Sequence, residues 1–172
     1  MNPLAPFLPV NRASATAYLV GIGFLAVLDF LRLKSGLPGM LVFVGMLAIW
    51  FLVLSLHVNR RRHAGRDIGL AFLPVGLAIL GKVLGSFIAL MPGVYSAMMD
   101  FAESNGVDTS DPVALQEALS EPGFQTEFQR QMEANPELVA HIASATGGGS
   151  FLGFWLVIAA FAIFYSRMPK AG

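Results

Sequence analysis

The run from Met40 to Leu56 constrains this chain more than any other stretch. It contains no Asp, Glu, Lys or Arg. Its length is close to the roughly 20 residues that carry a helix across a hydrocarbon core. A surface helix of a soluble protein needs a polar face, and this run has none. Three more apolar runs accompany it, giving spans at about 15–33, 40–57, 68–91 and 149–166. Inside a bilayer no water is available to bond the backbone, so such runs fold as helices that satisfy themselves. Composition agrees: 55% of residues are hydrophobic and 13% charged, against about a quarter charged in soluble domains. The expected fold is all-α, a polytopic membrane protein built as a four-span helical bundle with a small helical insert at 100–148. Residues 1–172 read as a single membrane domain.

The stretch Arg60-Arg61-Arg62-His63-Ala64-Gly65-Arg66 lies between the second and third runs. Basic loops resist translocation, so this one marks the cytoplasmic side. Four spans then put both termini in the cytoplasm. Arg12, Arg60, Arg61, Arg62, Arg66, Arg167 and Lys170 fall inside, and Arg32, Lys34 and Arg130 outside, seven against three. The N-terminus lacks the charged region of a signal peptide, so the first run reads as a retained span. Pro3, Pro6 and Pro9 argue against a helix before it. Met91-Pro92-Gly93 reads as the end of the third span, with a kink near Pro74.

The insert holds nine of the eleven carboxylates and one arginine, Arg130. Ser110-Asp111-Pro112 and Asn135-Pro136 pair a capping side chain with a proline at the first helical position. Phe124, Phe128 and Met132 recur at a spacing of four and form one helical stripe. Three short helices are expected, with Gly147-Gly148-Gly149-Ser150 as a flexible joint before the last span.

Arg60, Arg62, Gly65 and Arg66 match, at its spacing, the Arg-x-[His/Arg]-Asp-x-Gly-[Arg/Lys] motif between spans two and three of a small bacterial inner-membrane family. His63 stands where that family has Asp. Arg12, Ser14 and Tyr18 match its Arg-x-Ser-Arg-x-x-[Tyr/Phe] run, with Ala15 in place of the second Arg. Residues 10–95 thus resemble the family called domain of unknown function 805. The resemblance implies a helical membrane fold in the bacterial inner membrane and no settled activity. The insert has no counterpart in it.

Asp29 and Lys82 are the ionisable residues clearly within the spans, away from their ends. Such residues are costly in hydrocarbon and mark functional sites or structural ion pairs. Each lies fourteen positions from its span's entry at Ala15 or Ile68, about 21 Å deep at the helical rise. They are therefore expected to pair. Gly81 and Gly85 permit close helix approach, within the chain or in a homodimer. Arg60, Arg61, Arg62, His63 and Arg66 read either as a plain topology signal or as a loop for anionic lipid or a partner. His57, His63 and His141 have no ligand spacing, and the acidic insert lacks the ligand pattern of an EF-hand. Without cysteine there is no disulfide, thiolate metal site or thiol nucleophile. No catalytic residue, cofactor or metal is expected.

These features lead to a non-enzymatic inner-membrane protein, an accessory subunit or an assembly and interaction factor of a larger membrane complex. Two alternatives stand beside it: a small transporter or channel-like protein using Asp29 and Lys82, and an anionic-lipid-binding envelope protein. The expected partners are the lipid bilayer and a membrane-protein complex or a homo-oligomer. A formal net charge of zero gives no field toward nucleic acid, and none is expected.

Overall fold

The computed structural model describes residues 7–8 and 11–170; the expectation about Pro3, Pro6 and Pro9 lies outside them. It is all-helical: α1 (Ala15–Lys34), α2 (Gly39–His63), a 3-10 turn (Gly69–Ala71), α3 (Phe72–Ser104), α4 (Pro112–Ser120), α5 (Pro122–Ala134) and α6 (Pro136–Ser166). Four helical segments are long and apolar enough to cross a membrane: Ala15–Lys34, Gly39–His63, Gly69–Ser104 and Pro136–Ser166. The chain divides into two compact units, Met1–Leu84 with Ser150–Gly172, and Gly85–Gly149.

In the first unit α6 supplies the centre. Phe154, Trp155, Ile158, Ala162 and Tyr165 are buried against Tyr18, Ile22 and Leu25 of α1 and Ile49, Val53 and Leu56 of α2. Trp50 stacks on Phe154 with ring centroids 5.9 Å apart, so Trp50 faces another helix. The outward faces stay apolar: Met40 is 79% exposed, Leu156 68% and Val20 66%. In water that surface would be a liability; in lipid it is the solvated face. Lipid tails give helices no hydrophobic reason to associate, so close packing must hold them. Gly81 shows how: a Cβ there would stand 2.5 Å from the Gly153 carbonyl oxygen. Gly81 therefore serves contact within the chain.

In the second unit two expected breaks are absent. α3 continues through Met91-Pro92-Gly93 to Ser104. Pro92 forfeits one backbone bond, which membrane helices tolerate, and Gly93 leaves room for Ile142, whose nearest atom would be 3.1 Å from an added Cβ. α6 likewise runs unbroken through Gly147–Gly149. Gly149 acts as a packing surface there, because a Cβ on it would collide with the Gly85 carbonyl. The short helix expected to start at Asn135-Pro136 is thus the first part of α6. Pro74 falls in the opening turn of α3, where N–H groups have no intrahelical partner, and breaks nothing.

α3 ends where Gly106 takes φ +80° and Val107 donates to the Ala102 carbonyl at 3.0 Å. Both cap-plus-proline signals hold. The Asp111 carboxylate accepts from Val113 N at 2.9 Å, and Asn135 Oδ1 from Leu138 N at 3.3 Å. Phe124 and Phe128 of α5 pack on Phe101 of α3, with centroids 4.9 and 5.6 Å apart.

Candidate functional site

Two buried polar clusters occupy the first unit. The first surrounds Asp29, 6% exposed on α1. Arg32 lies three residues on, the spacing that makes side chains neighbours on a helix. Its Nε donates to Asp29 Oδ1 at 2.8 Å, and its Nη2 reaches the same oxygen at 2.8 Å. Nη1 donates to the Val42 carbonyl of α2 at 2.9 Å. Gly45 makes room for this, since a Cβ there would stand 3.0 Å from Arg32 Cδ. The other carboxylate oxygen accepts from Trp155 Nε1 of α6 at 2.8 Å. Asp29 therefore ties three helices together.

Lys82 donates to Ser150 Oγ and feels the electrostatic attraction of Asp29. Asp29 forms an ion pair with Arg32. Arg32, near the end of the first apolar run, lies inside the helix, with its side chain 9% exposed.

The second cluster lies at the end of α2. Here the structure corrects the expected loop. α2 continues to His63, and the loop is only the few residues after it. Arg60 and Arg61 are buried, 2% and 5% exposed. Arg62 and His63 are half-buried and Arg66 is exposed. Arg60 Nε donates to the Tyr165 carbonyl at 2.9 Å, and Nη2 to the Ser166 carbonyl at 3.0 Å and to that of Met168. A helix C-terminus leaves its last carbonyls without partners; one guanidinium fork from α2 satisfies those of α6.

Arg61 donates to the Asp67 carbonyl and lies over the Tyr165 ring, 5.2 Å from its centroid. Gly65 takes φ +64°, Gly65 N donates to Arg62 O at 3.1 Å, and Arg66 N to Arg61 O at 3.0 Å. That pair of hydrogen bonds around a positive-φ glycine is a Schellman cap, so the glycine of the basic stretch is required by the turn.

His57 is sandwiched between Tyr18 and Tyr165, each ring centroid 5.5 Å from its own. Its Nδ1 lies 2.9 Å from the Val53 carbonyl, which can only accept, so Nδ1 carries a proton. His57 Nε2, Tyr18 Oη and Ser55 Oγ are buried without a hydrogen-bond partner among the described residues. Tyr165 Oη, by contrast, donates to the Leu70 carbonyl at 2.8 Å. Asn59 Nδ2 donates to the Leu8 carbonyl at 2.6 Å, and Asn59 O accepts from Ala13 N at 3.2 Å.

The second unit carries a groove of about 690 Å³. Phe101, Val107, Ala118 and Phe124 line its apolar part, and Glu117, Glu121 and Glu127 its acidic part. Asp108 also lines it, with its carboxylate accepting from the Ser110 hydroxyl at 2.6 Å and from Ser110 N at 2.9 Å. Those bonds favour the ionised form and hold Asp108 below the usual carboxylate range.

Among the described residues no group of three or more His, Asp or Glu stands close enough to hold a metal ion. Sequence reasoning missed Arg32, Trp155 and Ser150 as partners of the intramembrane charges. The three-residue spacing of Asp29 and Arg32 was a usable signal; the contacts of Trp155 and Ser150, made across helices distant in sequence, had none. Comparisons of the chain with protein-family profiles, curated proteins and solved structures return no match.

Proposed function

We propose that the chain is a non-enzymatic protein of the bacterial inner membrane, serving as an accessory subunit or an assembly and interaction factor of a larger complex. The groove between the end of α3, α4 and α5 carries this reading. It joins an apolar floor to a carboxylate rim, and it belongs to a stretch with nine acids and one arginine. A basic amphipathic segment of a partner protein has the complementary chemistry: apolar side chains for the floor, cations for the rim. The bacterial inner-membrane location rests on the resemblance to domain of unknown function 805. The orientation rests on the seven-to-three distribution of basic residues, with both termini cytoplasmic and the insert periplasmic.

The transporter alternative asks more of the intramembrane charges. Asp29 would have to release Arg32 and Trp155 in each cycle, and both of its oxygens are engaged. Mild solubilisation of native membranes tests the proposal. The full chain should be recovered with a stoichiometric partner. Glu117→Lys with Glu121→Lys should lose that partner while the melting temperature stays unchanged. Recovery of the chain alone, together with substrate flux in liposomes, would decide for the transporter.

A further inference from the structure

Two adjacent residues of α2 fasten both ends of the chain to the same helical turn. Asn59 holds the N-terminal segment through Leu8 O and Ala13 N. Arg60 holds the C-terminal segment through the carbonyls of Tyr165, Ser166 and Met168. The consequence concerns the charges that follow these anchors. Arg12 adjoins Ala13, and Lys170 lies two residues beyond Met168. Both are exposed. Their charges bear on the half-buried His63 ring together with that of Arg60. The acid closest in sequence, Asp67, accepts from Gly69 N at 2.9 Å through its Oδ1. Arg62 adjoins His63 in the last turn of α2.

Beside these cations the helix surfaces are apolar and open. Leu70 is 50% exposed and Phe72 59% at the start of the third span, and Phe164 is 61% exposed near the end of α6. A ligand suited to this edge carries a negative charge next to hydrocarbon. We propose that Arg12, Arg62, His63 and Lys170 form a binding site for the phosphate of an anionic phospholipid headgroup, whose acyl chains lie along the adjoining apolar faces. Three separate segments build the site, and the buried Arg60 and Arg61 organise it without touching the ligand. A soluble phosphorylated compound offers the same charge without the hydrocarbon, and the test separates the two.

Native mass spectrometry of the full-length protein in detergent, titrated with phosphatidylglycerol or phosphatidylcholine, gives the measurement. Phosphatidylglycerol should bind more tightly. Arg12→Gln with Lys170→Gln should weaken it by about fivefold for each charge removed. Neither side chain caps a helix, so the melting temperature should hold. Arg130→Gln, which removes one positive charge from the acidic unit, should leave lipid binding unchanged. Equal affinity for the two lipids, or a double variant that binds phosphatidylglycerol as well as the native chain, would overturn the site. Displacement of the lipid by glycerol 3-phosphate at matching concentration would overturn the lipid and assign a soluble ligand.

Discussion

Arg60 and Tyr165 are 105 positions apart in sequence, yet the guanidinium of one donates at 2.9 Å to the backbone carbonyl of the other. The bond is buried, and with the Ser166 and Met168 carbonyls it makes Arg60 the C-terminal cap of α6. A charged donor that looked like part of a solvated loop is thus a structural member between two helices.

Arg60→Gln should therefore destabilise the protein, by about 1.5–3 kcal/mol for the loss of charge-assisted bonds. Arg60→Lys should recover little, because one ammonium lacks the planar fork that reaches several carbonyls. Melting in detergent reads the loss. Hydrogen exchange should show faster exchange confined to the last turn of α6. Native stability in the glutamine variant would remove Arg60 from this role.

The tyrosines on either side of His57 should respond in opposite directions. Tyr18 Oη is buried without a partner among the described residues, whereas Tyr165 Oη donates to Leu70 O. Removing an unsatisfied buried hydroxyl relieves a desolvation cost; removing a bonded one leaves the Leu70 carbonyl short of a donor. Tyr18→Phe should keep or slightly raise the melting temperature, and Tyr165→Phe should lower it by an amount worth about 1 kcal/mol. A loss in Tyr18→Phe as large as in Tyr165→Phe would mean that the Tyr18 hydroxyl is bonded in the membrane.

Asp108 gives a pH signature in the acidic unit. Its folded pKa is depressed by the Ser110 hydroxyl and backbone N–H. A depressed carboxylate stabilises the turn above its unfolded pKa and loses that stabilisation as pH falls through the folded value. The turn at 108–111 should thus stay intact at neutral pH and loosen only below the ordinary aspartate range. Ser110→Ala should move the Asp108 titration back up toward its ordinary value of 3.8. Carbon-detected NMR of the side-chain carboxyl follows it directly; an unmoved midpoint would remove Ser110 as the cause.

How much of this was legible depends on what kind of contact carried it. Helix starts at Asp111-Pro112 and Asn135-Pro136 were readable because a cap acts within three residues. The Phe124/Phe128 stripe was readable from its period, although its receptor, Phe101, was not. Glycine and proline misled the reading at Pro92 and Gly149. In water they punctuate helices, but in a membrane helix neighbours supply the packing that lets the helix continue. Ser104-Asn105-Gly106 carried the true stop signal for α3, a glycine just past the last turn. The four arginines read alike in sequence. Only the fold separates Arg60 and Arg61, which reach carbonyls distant in the chain, from Arg62 and Arg66. It also adds Arg12 and Lys170, which no local pattern connects to them.

The intramembrane charges give the sharpest discrimination. Asp29 accepts from Arg32 and Trp155, while Lys82 donates to Ser150 and feels the electrostatic attraction of Asp29. Removing one partner of a buried pair leaves an uncompensated charge and costs about 3–5 kcal/mol. Asp29→Asn and Arg32→Gln should each lower the melting temperature strongly. Together they should cost much less than their sum, because neither charge is then stranded. Asp29→Asn with Lys82→Met should be closer to additive, since each residue keeps a separate hydrogen-bond partner. Trp155→Phe should cost about 1 kcal/mol, one buried bond to the carboxylate. Double-mutant cycles on purified protein in detergent measure both couplings. A larger coupling for Asp29 with Lys82 than with Arg32 would restore the pairing inferred from depth in the spans and leave Arg32 as a neighbour without energetic weight.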